Sequence, residues 1–149
     1  MTAHTIVKAA TTAAYKKSNE QYQANPVAFA QDCLSLEPLE WQASVMMAVA
    51  DGERRLTVRS GHGIGKSVCA AALMLWFLLT KHPCKVTVTA PTASQLYDAL
   101  FAEVKSLMKR LPAPSGKLIE ATSDRVVPKA SPPEAFITAR TSSKERPES

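Results

Sequence analysis

Leu56-Thr57-Val58-Arg59-Ser60-Gly61-His62-Gly63-Ile64-Gly65-Lys66-Ser67 decides how the rest of this chain is read. The stretch passes from a β-prone run through alternating glycines into an apolar segment with helical character. Glycines at 61, 63 and 65 let the backbone curl so that successive N–H groups point inward at an anion. Lys66 is placed to reach outer phosphates, and the Ser67 hydroxyl to hold a magnesium ion. A helix beginning here adds its first amides and the positive end of its dipole. The residues therefore predict a phosphate-binding loop. They depart once from the strict pattern G-x-x-x-x-G-K-[ST], because Ser60 stands where the first glycine belongs. The plainer alternative is a glycine turn that happens to precede Lys-Ser. A strand before the loop and a helix after it weigh against that alternative.

Working outward, Leu56 to Val58 suit a buried parallel strand over 55–59. Val68 to Leu79 is continuously apolar, and the helix expected over 66–81 ends near Lys81, His82 and Pro83. Lys81 complements the negative end of the dipole, and Pro83 forbids continuation. The run falls short of the roughly 20 residues that span a bilayer, so it predicts a buried helix and no membrane partner. With 149 residues, 46% of them hydrophobic, the chain suits one domain with its own core. Cys33, Cys69 and Cys84 are odd in number and lack metal-ligand spacing, which predicts reduced thiols in a cytoplasmic protein. The N-terminus has no continuous apolar signal segment. The formal charge of +5 permits a polyanionic partner such as DNA. Arg54, Arg55 and Arg59 lie before the loop, and Lys105, Lys109 and Arg110 end a later helix. A solvated surface with favourable helix-end charges accounts for the same residues.

The remaining punctuation gives an α/β order. Residues 3–23 are alanine-rich and form an expected N-terminal helix that packs on the domain or stays loose (1–24). Asn25 and Pro26 predict the cap and first position of a helix reaching Leu34. Trp41, Val45, Met46 and Val49 have helical spacing within Glu40 to Ala50, which Asp51-Gly52 closes. Lys85 to Thr89 alternates as a second strand, and Thr92 caps a long helix from Ala93 to about Leu111. Leu96, Leu100, Val104, Leu107 and Met108 form its apolar stripe. After the breakers Pro112 to Gly116, residues 117–121 and 125–127 suit a small hairpin. Ala135 to Ala139 suits a last strand, and 141–149 a disordered polar tail.

Two constellations bear on chemistry. A glutamine amide pairs donor and acceptor as the edge of adenine does, and an aromatic can pack on the base. Trp41-Gln42 fits that role, or equally a core tryptophan beside a solvated glutamine. Thr89 to Gln95 lies at the carboxyl end of the second strand, where ligands gather in doubly wound sheets. It also reads as an ordinary turn capped by Thr92.

In combination, Trp41-Gln42, Arg59 to Ser67, and Ala90-Pro91-Thr92 with Gln95 resemble the N-terminal ATPase domain of tailed-phage and prophage terminase large subunits. Asn25-Pro26, Phe29 and Asp32 are similar to the lead-in of many prophage members. Phe136 to Arg140, followed by Pro147-Glu148, is similar to the segment ahead of the family's second acidic motif. The resemblance covers about residues 25–149. It implies an α/β fold of the P-loop NTPase type, RecA- or helicase-like, with a parallel sheet and flanking helices, incomplete at its C-terminus. A partial ATPase domain would occupy 25–140. ATP and Mg2+ would be the cofactors, held by Ser60, Gly61, Gly63, Ile64, Gly65, Lys66 and Ser67, with Ser67 on the metal. Gln42 would read adenine beside Trp41. Lys66 would act on the phosphates, and His62 stands where many members carry an arginine. A neutral histidine stabilises charge less, so Arg59 or Arg140 would compensate. Double-stranded DNA, the portal and the small terminase subunit are the implied partners, in the cytoplasm of a bacterial host.

Two parts of the family pattern are missing. Hydrolysis in such motors needs an apolar strand ending in Asp-Glu, for magnesium and for the attacking water. No Asp-Glu pair occurs in these residues, and Glu134, Glu145 and Glu148 lack a preceding strand. Nor is there the clustered-aspartate nuclease domain that carries the family's endonuclease activity. The expectation is the front portion of a packaging motor, which binds nucleotide and turns it over negligibly. A helicase-like ATPase fragment, or a non-catalytic remnant that binds a protein through an exposed sheet edge, are the alternatives.

Overall fold

Asn25 and Pro26 open the first helix, α1 (Pro26–Leu34), as their chemistry dictates. The Asn25 carboxamide oxygen accepts from the Ala28 N–H at 3.0 Å, while proline fills a position that needs no amide partner. Ser35 then turns left-handed at φ 49°, and the Leu36 N–H reaches back to the Ala30 carbonyl at 3.0 Å. Helix α2 (Glu40–Ala50) ends through Asp51 and Gly52, with φ 94° at the glycine. Helix α3 (Lys66–Thr80) runs 15 residues, and Leu75, Trp76, Leu78 and Leu79 are fully buried in it. The computed structural model describes residues 20–59, 61, 65–81, 84–112, 116, 119–129 and 135–141. The expected N-terminal helix lies outside these except for a 3₁₀ turn at Glu20–Tyr22, and the tail beyond Thr141 lies outside them too.

Strand β1 (Lys85–Ala90) leads into a helix whose start is capped by Thr92, whose Oγ1 accepts from the Gln95 N–H at 3.2 Å. The expected single α-helix differs from what forms. Its first half, Ser94–Phe101, is wound as a π-helix, and its second half is α4 (Ala102–Met108). Wide winding swings residues five apart toward one face, and Leu96 and Phe101 are both buried there. The helix stops at Met108 rather than near Leu111. The Arg110 guanidinium then reaches the Leu34 carbonyl at 3.4 Å, which ties this end to the end of α1.

The hairpin forms as β2 (Ile119–Ala121) and β3 (Arg125–Pro128), and the last strand as β4 (Phe136–Thr141). Sheet order is β1-β4-β3-β2. β1 pairs with β4 in parallel, Val86 opposite Ile137, while β3 runs antiparallel to both β2 and β4. The fold is therefore α/β with a four-stranded mixed sheet and flanking helices: β1 and β4 pair in parallel, and the expected hairpin adds two strands that make the sheet mixed. Residues 122–124 are too short for anything but a hairpin connection. Ile119, Val126, Ile137 and Ala139 are buried in the core, together with residues of α3 and of the helix at 94–108. On β1, Lys85, Thr87 and Thr89 stand exposed and alternate with half-buried Val86, Val88 and Ala90. Helices α1 and α2 pack on α3.

The strand expected over 55–59 does not form. These residues are exposed throughout, Leu56 at 44% and Val58 at 39%. β-propensity describes the fit of a side chain on a pleated, half-buried surface. Among the described residues no strand pairs with this run, so its propensity has nothing to act through.

Candidate functional site

Gly65 is where the site can be built from the residues upward. It caps α3 at φ 84° and ψ 22°, a left-handed conformation open to glycine at little cost. Having no side chain, it supplies no acceptor to the first-turn amides of the helix. Its carbonyl accepts the first intrahelical bond, from the Cys69 N–H at 3.0 Å. The same carbonyl accepts a second bond, from Gln42 Nε2 at 2.9 Å. Lys66 and Ser67 occupy the first turn, the lysine exposed and the serine half-buried.

Gln42 is buried, with 4% of its surface exposed. Its other amide atom, Oε1, accepts from the Leu39 N–H at 2.8 Å. The side chain thus satisfies an orphan amide at the start of α2 and bridges to the cap of α3. A β-carbon placed on Gly65 would lie 2.6 Å from Gln42 Nε2, so any side chain there must displace that buried amide as well as accept a left-handed φ. Gly61 differs, since a β-carbon there would meet nothing within 4 Å.

The structure brings together Gln42, Gly65, Lys66 and Ser67. Ser60, His62, Gly63 and Ile64 lie outside the described residues. Arg59 ends the exposed run, and Arg140 sits exposed on β4. Trp41 is half-buried and packs against the core, so its position fits the core role that the sequence left open. Pro91 and Thr92 follow β1 directly, and Thr92 acts there as a helix cap. Among the described residues, no group of three or more His, Cys, Asp or Glu side chains could hold a metal. Burial pushes the Cys69 thiol up from its ordinary value, one turn into α3, and holds it protonated at neutral pH.

An anion is the ligand that these residues fit. A glycine-capped helix N-terminus offers amides and dipole, a lysine adds charge, and Ser67 adds a hydroxyl of the kind magnesium accepts. The Gln42 bridge was not legible in the sequence. It spans 23 positions, and neither residue carries a local signal of the other. Comparison with protein-family models, curated proteins and solved structures gave no match.

Proposed function

We propose that the turn into α3 binds the outer phosphates of ATP with magnesium, and that the chain is the ATP-binding part of a terminase-type DNA-packaging motor. The observation that supports the first half is Gly65, left-handed at the head of a 15-residue helix with Lys66 and Ser67 in its first turn. Glycine in that left-handed conformation, feeding that pair, suits a backbone that curls round an anion, although as a plain cap it is only slightly worse than Ser, Asp or Asn. The second half rests on the sequence resemblance, which supplies the P-loop NTPase fold, double-stranded DNA, the portal and small subunit as partners, and the bacterial cytoplasm. When bound, magnesium would neutralise phosphate charge. Lys66 would bind the phosphates and Ser67 would hold the metal. The 149 residues contain no Asp-Glu pair to polarise water, so binding without appreciable turnover is the expected behaviour.

Titration calorimetry with magnesium and ATP tests the reading. Wild type should bind, and Lys66→Ala should lose about 1.5–3 kcal/mol, the scale of a charged hydrogen bond. A folded wild-type chain that takes up no nucleotide sinks it. Rapid ATP hydrolysis abolished by Lys66→Ala would keep the site and overturn the statement about turnover. One observation favours an interaction module instead. β1 ends the sheet order, so among the described residues its outer edge has no partner strand. A cooperative melt that ATP leaves unmoved would support that second reading.

A further inference from the structure

Among the described residues, Gln42 is the buried side-chain amide that bonds to Gly65, and its two bonds point to a task. We infer that Gln42 is a positioning residue that locks the Gly65–Lys66 peptide in its anion-binding orientation. The inference rests on the phosphate reading above. In a trans peptide the C=O and N–H point to opposite sides. Gly65 O is held on the helix side by Cys69 N–H at 3.0 Å and by Gln42 Nε2 at 2.9 Å. The Lys66 N–H is thereby held on the opposite side of the peptide, ahead of the helix, where the proposed phosphate would lie. A glycine with left-handed φ is the residue most able to flip such a plane, so a second tether on its oxygen has something to prevent. Gln42 is itself fixed, because Oε1 accepts from Leu39 N–H at 2.8 Å and the side chain is 4% exposed. Its amide is spent on the backbone, and it serves every triphosphate alike rather than one base.

Binding of ATP, GTP and inorganic tripolyphosphate, each with magnesium, separates the possibilities. Gln42→Met keeps length and apolar bulk without a donor, and Gln42→Glu sets an acceptor against the Gly65 oxygen. Thermal melts identify a temperature at which each variant is folded. Both variants should bind all three ligands roughly tenfold more weakly, with the ATP-to-GTP ratio unchanged. Loss confined to ATP would overturn the inference and make Gln42 a reader of adenine. Wild-type affinity for all three, with only a lowered melting temperature, would overturn it in favour of simple packing. A wild-type chain that binds none of them removes the phosphate reading and this one with it. Normal wild-type binding with unaffected variants removes this one alone.

Discussion

Two glycines in the left-handed region show how much a single position depends on its neighbours. Gly52 has φ 94° and open space around its missing side chain, whereas Gly65 has φ 84° and Gln42 Nε2 in the way. Gly52→Ala should cost about 1–2 kcal/mol for the conformation alone. Gly65→Ala adds a steric clash and a displaced buried amide, so its cost should exceed that of Gly52→Ala by at least about 1 kcal/mol. Urea unfolding of the two variants, read as midpoints at constant slope, checks the order. Equal losses would show that Gln42 yields freely. Ser35 is the converse case, a non-glycine residue at φ 49°. Tyr22 is also set by its surroundings. Burial chiefly, with its hydroxyl donated to Asp32 at 3.1 Å, raises its phenol above the ordinary range, and its carbonyl accepts from Trp76 Nε1.

Elements were legible wherever a cap or a turn announced them. Asn25-Pro26, Asp51-Gly52 and Thr92 each mark a boundary that the structure bears out, and the hairpin around 122–124 forms as its composition predicts. Asn25→Ala should therefore lower stability by about 1 kcal/mol, measured by thermal or urea unfolding. An unchanged midpoint would mean that α1 is held by packing alone. Leu75→Ala, deep in α3, belongs to a different class and should cost about 2–5 kcal/mol. What the sequence could not show depends on partners far along the chain. Val58 reads as a strand residue from its neighbours, yet a strand exists only where another strand meets it. Leu96 and Phe101 gave no sign that the helix between them would wind wide, because the regular stripe at Leu100 and Val104 fits an ordinary α-helix as well. Of the candidate site, Gly65, Lys66 and Ser67 were legible as a motif, while the contact that holds them was not.

At the scale of the molecule, one buried cluster joins α1, α2, α3, the helix at 94–108 and one face of the sheet. The three thiols lie at its margins or within it, and burial is the first cause that raises each of them. A raised folded value means that the native state holds the proton more tightly than the unfolded chain does. That contribution is fully present below the ordinary thiol range near about 8.5 and is lost as pH rises through the folded values. Unfolding free energy should fall as pH rises above the ordinary thiol range of about 8.5, and less so in Cys69→Ala, as urea midpoints on either side of it would show. A flat profile would mean that the thiols ionise alike in both states. The long exposed stretch at residues 51–59 has a practical consequence of its own. It carries Arg54, Arg55 and Arg59 in reach of a trypsin-like protease, and among the described residues no strand pairs with it to protect the backbone. Cleavage there would part the chain between Gln42 and Gly65, yet α2 would still lie against α3 through buried packing. The two pieces would then be held together only by the buried cluster they share, and a nicked sample that still melts as one unit would show it.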